Sequence, residues 1–163
     1  MLREAYEETT QRLLAACLDF YKDRLISLAV FGSVGRGTPG PESDIDFIVV
    51  ARDLPQGRLN RVREFQVVED QLEPWLLSLE RRGVHTSLSP VFKTPEEVEK
   101  GSLLFLDMVD DAVLLHDRDD FFKKYLERLV SRLVELGAYK VIKGGRWHWV
   151  LKPDYRPGEV FEI

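Results

Sequence analysis

The stretch that decides the fold is LISLAVFGSVGRGTPGPESDIDFIVV, residues 25–50. Its first seven residues are almost entirely apolar and end at Gly32-Ser33, and a second apolar run follows Asp44. Short apolar runs bounded by glycine and proline are typical of buried β-strands. The stretch therefore predicts a strand, a glycine-rich turn with a short helix starting near Val34, and a second strand.

Two aspartates stand at the head of the second predicted strand. Asp44 and Asp46 are separated only by Ile45, and side chains of a strand alternate between faces, so both aspartates project from one face with Cα atoms about 6.7 Å apart. Two carboxylates on one face repel each other unless a cation lies between them, and oxygen ligands suit a hard ion such as Mg²⁺. The pair predicts a metal site.

The turn between the strands has the composition of a phosphate-binding loop. Glycine at Gly32 lets backbone N–H groups approach an anion, the Ser33 hydroxyl adds a donor, and the start of a short helix adds partial positive charge. A polyphosphate there would bring its metal-binding oxygens close to Asp44 and Asp46. Each motif by itself is more often a solvated turn, but the combination at this spacing favours metal-dependent triphosphate chemistry.

Residues 32–37, GSVGRG, with residues 43–47, SDIDF, resemble the signature of the minimal nucleotidyltransferases of the DNA polymerase β superfamily. The resemblance is specific over about 25–50 and looser to about residue 117. It implies a mixed α+β nucleotidyltransferase fold, a small mixed sheet flanked by helices. It also implies transfer of a nucleoside monophosphate, AMP from ATP being favoured, to an acceptor hydroxyl such as that of a protein tyrosine.

The resemblance assigns roles to five residues. Gly32 and Ser33 would hold the β- and γ-phosphates of the NTP. Asp44 and Asp46 would be the catalytic carboxylates that ligate two Mg²⁺ ions. Arg36 is a candidate for a further phosphate contact, because a guanidinium offers a fork of donors, although exposed arginines are also ordinary in such loops.

The chain departs from the family pattern at the third acid, which the family carries on a later strand. The strand predicted over residues 83–92, GVHTSLSPVF, contains no Asp or Glu. His85, Thr86 or Ser87 could face the pair instead, and the acids in residues 106–111, Asp107, Asp110 and Asp111, either reach the site or are ordinary helix-end acids.

Two function classes follow from the missing acid. The first is an active nucleotidyltransferase. The second is a weakly active or inactive binding module that acts as antitoxin or partner of a separate all-helical HEPN protein, a partner class that the resemblance implies.

The remaining elements place an appendage after the core. Helical spacing of apolar residues and capping residues predict helices, a further strand, and a hairpin around Gly144-Gly145. We expect a nucleotidyltransferase core over 1–118 and a C-terminal helix with a β-hairpin over 119–163. The predicted helices cover about residues 2–22, 59–79 and 121–136, with another starting at Thr94, and the further strand covers 112–115.

The predicted hairpin interleaves aromatic and basic residues. Such a surface could stack on bases and hold phosphates, or Trp147 and Trp149 could pack on the preceding helix and leave Lys and Arg in water. The net charge of −5 argues against a dedicated nucleic-acid binder.

Composition sets the outer limits. No apolar run approaches the roughly 18 residues of a membrane span, and the N-terminal segment is acidic and amphipathic rather than a signal peptide. The single cysteine, Cys17, excludes an intramolecular disulfide. We therefore expect a cytoplasmic protein with no membrane partner.

Overall fold

The computed structural model describes all residues from 1 to 163, which form a four-stranded sheet flanked by helices and a separate two-stranded hairpin. The helices are α1 (Leu2–Tyr21), α2 (Gly32–Gly35), α3 (Arg58–Glu80), α4 (Pro95–Lys100), α5 (Phe105–Asp111) and α6 (Phe121–Leu136). The strands are β1 (Leu25–Phe31), β2 (Ile45–Ala51), β3 (Leu88–Lys93), β4 (Val113–Asp117), β5 (Tyr139–Lys143) and β6 (Arg146–Val150).

The sheet is mixed, which confirms the predicted α+β class. Its strand order is β3-β2-β1-β4, with β1 antiparallel to both neighbours and β2 parallel to β3. The two central strands are almost completely buried because helices cover both faces of the sheet. This double burial explains why residues 25–31 and 45–51 read as continuous apolar runs rather than as alternating ones.

Each face of the sheet builds its own core. Ile45, Phe47 and Val49 of β2 pack with α1 and α3 on one face. Ile48 and Val50 point to the other face and pack with α4, α5 and α6. Side chains alternate along a strand, so the odd residues lie opposite the even ones, as predicted, and the carboxylate of Asp46 belongs to the face of Ile48 and Val50.

The predicted helices form with bounds close to those expected, and α4 begins at a capping box. Thr94 Oγ1 accepts from the backbone N–H of Glu97 at 3.2 Å, and the Glu97 carboxylate accepts from the backbone N–H of Thr94 at 2.9 Å. Arg61 of α3 also donates two bonds of 2.8 Å to Glu97 and lowers the pKa of that carboxyl to about 2. This ion pair ties α3 to α4.

The strand predicted from Gly83 begins only at Leu88. Gly83 has a φ of +81° and ends a turn after α3. His85 donates its backbone N–H to Pro41 O, in the loop before β2, at 2.7 Å, and Ser87 O accepts from the backbone N–H of Ile45, the first residue of β2, at 2.9 Å. The irregular segment therefore lies beside the head of β2.

The C-terminal hairpin forms as predicted, with Gly144 and Gly145 both at positive φ in its two-residue turn. Trp149 packs against the core that contains α6, whereas Trp147 lies half-buried beside Arg36. Packing on the helix therefore explains Trp149 but not Trp147. The boundary near residue 118 stays a prediction. None of the helices combines the length and apolar character needed to cross a lipid bilayer.

Candidate active site

The two aspartates lie at the N-terminal end of β2, where the sheet meets the glycine-rich turn. Asp44 immediately precedes the first residue of the strand and is exposed, whereas Asp46 is the second residue of the strand and is half-buried. The strand is buried behind them, so its head presents a carboxylate pair at the edge of the core.

Asp46 and Gly32 touch each other across β1 and β2. A Cβ atom added to Gly32 would lie 2.6 Å from Asp46 Oδ2, closer than such atoms approach in proteins, and the φ of Gly32 is +65°. Glycine suits this position, because it tolerates the left-handed conformation and leaves the Asp46 carboxylate in place. The structure thus brings the turn predicted to bind phosphate into contact with a carboxylate predicted to bind metal.

The turn after β1 is a single helical turn, α2, with unused donors. The backbone N–H of Arg36 bonds to Gly32 O at 2.9 Å, and that of Thr38 bonds to Ser33 O at 2.9 Å. No side chain caps the start of α2, and the first N–H groups of a helix have no partner inside it. The Ser33 hydroxyl is half-buried at the same place. These donors suit an anion such as a phosphate group.

Tyr6 of α1 holds the loop that connects this turn to Asp44. Its hydroxyl donates to the carbonyl oxygens of Gly40 at 2.9 Å and Ser43 at 2.7 Å. Burial raises the pKa of Tyr6, so the hydroxyl stays protonated and continues to donate. This role of Tyr6 depends on contacts across more than thirty residues of sequence, which no local pattern reports.

Arg36 lies beside the turn and is bonded to Asp111 at the end of α5. Its Nη1 donates to Asp111 Oδ2 at 2.7 Å, and the Asp111 side chain is only 7% exposed, against 35% for Arg36. The guanidinium carbon also lies 5.1 Å from the centre of the Trp147 ring. The remaining N–H groups of Arg36 make no hydrogen bond within the protein, so its contact with phosphate stays a prediction.

The acids of α5 do not complete the carboxylate pair. No group of three or more His, Cys, Asp or Glu side chains lies close enough together to hold a metal ion. Asp111 bonds to Arg36, Asp110 accepts from Lys140 at 3.3 Å, and Asp107 accepts from the Trp147 indole at 3.4 Å. These acids connect α5 to the turn and to the hairpin.

Of the three residues considered on the β3 side, Ser87 alone bonds to the pair. Its Oγ donates to Asp44 Oδ1 at 2.6 Å. The Thr86 hydroxyl is buried without a hydrogen-bond partner, and His85 is exposed, with its Nδ1 lying 3.8 Å from Glu80.

Ser89 is a further candidate that the sequence did not reveal. The parallel register pairs Ser89 with Asp46, so both side chains leave the same face of the sheet. Its position opposite the pair could be found only once the register between β2 and β3 was known.

An acidic groove adjoins Asp44 on the side away from the glycine-rich turn. A cavity of about 330 Å³ lies between α3 and residues 84–87, with Glu73 and Glu80 among its walls, and a second one of about 300 Å³ adds Glu69 and Asp70. The two share Ser87 and contain no Lys or Arg in their linings. A cavity of about 430 Å³ beside Arg58 and Lys93 lies at the opposite end of the sheet. The carboxylate pair therefore stands between the glycine-rich turn and an acidic groove.

The donor atoms at the pair fit Mg²⁺. The Asp46 carboxylate accepts no hydrogen bond within the protein, Asp44 uses only Oδ1, and both offer oxygen, which this ion prefers. Mg²⁺ commonly takes one or two carboxylates and completes its coordination with water and substrate phosphates. Two carboxylates beside a turn that is predicted to bind phosphate match that requirement.

Residues 11–143 match the family model described as "Nucleotidyltransferase domain". "Putative protein adenylyltransferase MJ1305" of Methanocaldococcus jannaschii is 33% identical over 131 residues, which cover 79% of this chain and 81% of that protein.

Among solved structures, one described as "Crystal structure of the toxin-antitoxin with AMP-PNP" has the same fold, with a TM-score of 0.51 and 19% identity over 77% of this chain and 87% of that one. A mutant of the toxin-antitoxin MntA-HpeT gives a TM-score of 0.49 and 16% identity over 77% of this chain and 87% of that one.

Proposed function

The chain belongs to the nucleotidyltransferase-domain family, and from this premise we propose that it transfers AMP from ATP to a protein hydroxyl at Asp44 and Asp46. Enzymes of this family use nucleoside triphosphates as substrates. The observation that carries the proposal is the contact between Asp46 and Gly32, where a Cβ would lie 2.6 Å from the carboxylate oxygen. One substrate can contact both groups only if they are neighbours, and here they are.

The turn supplies the nucleotide side of the site. Backbone N–H groups at the start of α2 and the Ser33 hydroxyl bind the β- and γ-phosphates, and Arg36 adds charge. In the reaction the acceptor oxygen bonds to the α-phosphorus, the bond from that phosphorus to the oxygen bridging to the β-phosphate breaks, and pyrophosphate leaves. The acceptor hydroxyl loses its proton to solvent or to a neighbouring base. Asp44 and Asp46 would hold Mg²⁺, which when bound would supply positive charge to the phosphate oxygens and the acceptor oxygen.

The acidic groove supplies the acceptor side. In an in-line displacement the nucleophile approaches opposite the leaving group. The strand β2 lies between β1, which leads into the turn, and β3, which follows residues 84–87 of the groove. Glu73 and Glu80 favour an acceptor segment with basic residues around its hydroxyl. A protein acceptor agrees with the name of the Methanocaldococcus jannaschii relative, and a tyrosine hydroxyl is the acceptor that the family resemblance favours.

A second candidate function is that of a binding module, acting as antitoxin or partner of a separate HEPN protein with little turnover. The observation that favours it is the lack of a third acidic side chain at the pair. Loss of that ligand weakens activation of the acceptor more than binding of the nucleotide, because the triphosphate brings its own oxygens to the metal. Nucleotide binding without transfer would identify this function.

Calorimetric titration with a non-hydrolysable ATP analogue tests the proposal. We expect binding that requires Mg²⁺ and disappears in Asp44→Ala, with Asp19→Ala as the matched control, since Asp19 is an exposed acid in the last turns of α1 without a salt bridge. Equal affinity with and without Mg²⁺, or unchanged binding in Asp44→Ala, would contradict the assignment.

A further inference from the structure

Trp147 of the C-terminal hairpin contacts Arg36 of the glycine-rich turn. The indole lies over the guanidinium of Arg36 at 5.1 Å, and the Lys140 ammonium lies 4.7 Å from the same ring. Its Nε1 donates to Asp107 at 3.4 Å. The ring is thereby fixed by a partner on α5 while its face meets a residue of the turn.

Asp111, at the end of α5, contacts two residues of the same turn, Gly35 and Arg36. The backbone oxygen of Asp111 packs against Gly35 so closely that no Cβ fits there. The Asp111 carboxylate bonds to Arg36 at 2.7 Å. Arg36 is therefore held by a nearly buried carboxylate and by the Trp147 ring, and only one of its five N–H groups is used within the protein.

We propose that Trp147 is a positioning residue for nucleotide binding, which holds the Arg36 guanidinium beside the Gly32-Ser33 turn together with Asp111. The inference rests on the proposed function, because it requires a phosphate group at that turn. A free arginine side chain loses rotational freedom about several bonds when it contacts a ligand. An arginine that is already held in place loses less of this freedom. The hairpin is then part of the nucleotide site and not only a cover for α6.

The contact of Arg36 with the ring face explains why an aromatic residue suits position 147. A cation over a ring face is attracted by the ring without using its N–H groups, which stay free to donate. One N–H group of Arg36 bonds to Asp111, and the others make no hydrogen bond within the protein, so they are available for phosphate oxygens. An aliphatic side chain at position 147 would cover the guanidinium without the electrostatic attraction of the ring face.

Calorimetric titration with a non-hydrolysable ATP analogue and Mg²⁺ tests the inference. We expect Trp147→Ala to weaken binding by about fivefold, within the range of a partly desolvated cation–π contact. Trp147→Phe should restore most of the affinity, because it keeps a ring face. His148→Ala is the control, since it changes the exposed neighbour on the opposite face of β6 and should stay within about twofold of the natural protein.

Repeating the titration in an Arg36→Gln background separates positioning from a structural role. If Trp147 acts through Arg36, Trp147→Ala has no further effect there, whereas a general loosening of the fold weakens binding in both backgrounds. In steady-state assays the KM for ATP should rise while kcat changes by less than about twofold. Thermal unfolding of each variant reports whether the hairpin stays folded.

Binding that Trp147→Ala leaves unchanged, or a loss that persists in full without Arg36, would overturn this inference and leave the proposed function standing. No nucleotide binding by the natural protein would overturn the proposed function and the inference with it.

Discussion

Two glycines of the turn offer a test of the contact between Gly32 and Asp46. Gly32 and Gly37 have similar backbone conformations, with φ of +65° and +74°. Their surroundings differ, because a Cβ at Gly32 would lie 2.6 Å from Asp46 Oδ2, whereas a Cβ at Gly37 would meet nothing within 4 Å. Gly32→Ala and Gly37→Ala should therefore cause similar backbone strain, whereas only Gly32→Ala displaces the Asp46 carboxylate.

The two variants should lose similar amounts of stability but very different amounts of activity. An L-residue in the left-handed region costs about 1–2 kcal/mol, which lowers the melting temperature of a domain of this size by about 2–8 °C in either variant. Displacing the end of the Asp46 side chain adds little to this cost, because a carboxylate can rotate. A shift of about 1 Å in a catalytic group can reduce the rate by about 10²-fold. We expect Gly32→Ala to lose about 10²-fold in transfer and Gly37→Ala less than about threefold.

The assay combines thermal unfolding of both variants with the rate of AMP transfer from ATP, measured as pyrophosphate release in the presence of Mg²⁺ and acceptor. Similar melting temperatures with a large difference in rate would support the close contact. Equal loss of activity in the two variants would refute it, because backbone strain alone would then explain the effect of Gly32→Ala.

Three further results are expected. Ser89→Asp places a carboxylate on the face of Asp46 and should raise the transfer rate while nucleotide affinity stays within about twofold. Slower transfer in this variant would show that the natural site needs no third acid. Glu73→Lys should reduce acceptor labelling by about threefold or more at unchanged nucleotide affinity, and unchanged labelling would remove the acidic groove from the acceptor path. Because Arg61 lowers the pKa of Glu97 from 4.5 to about 2, the pair stabilises the fold above pH 4.5 and loses this effect as the pH falls through about 2. Glu97→Gln should therefore lower the free energy of unfolding by about 1 kcal/mol at pH 7, a figure reduced for the exposure of Glu97. In urea titrations this difference should disappear near pH 2, and a pH-independent difference would contradict the expectation.

The structure of residues 25–50 could be predicted from the sequence because it depends on patterns within a few residues. A strand alternates with period two, so Ile45 and Asp46 had to face opposite ways, and the glycines mark the turn at Gly32 without any knowledge of the rest of the chain. The capping box at Thr94 and the turn at Gly144-Gly145 are local in the same sense. Each is decided by side chains and backbone within a few residues.

The rest of the site depends on distant contacts. Ser89 lies opposite Asp46 only because β3 pairs with β2 in one particular parallel register. Trp147 meets Arg36 across more than a hundred residues of sequence, and nothing in the composition of the hairpin distinguishes it from Trp149, which packs in the core. Residues 83–87 look like a strand by composition, but His85 bonds to the loop before β2 and the strand begins only at Leu88.

The central claim, nucleotidyl transfer at Asp44 and Asp46, is tested most directly by comparing ATP labelled at the α-phosphate with ATP labelled at the γ-phosphate. With Mg²⁺ and a lysate from the native source, the account predicts that the α-label appears on a protein acceptor, that the γ-label does not, and that Asp46→Asn reduces α-labelling by at least ~10²-fold. Labelling from the γ-phosphate would indicate phosphoryl transfer, and undiminished α-labelling by Asp46→Asn would place the chemistry elsewhere. Either result would contradict the account.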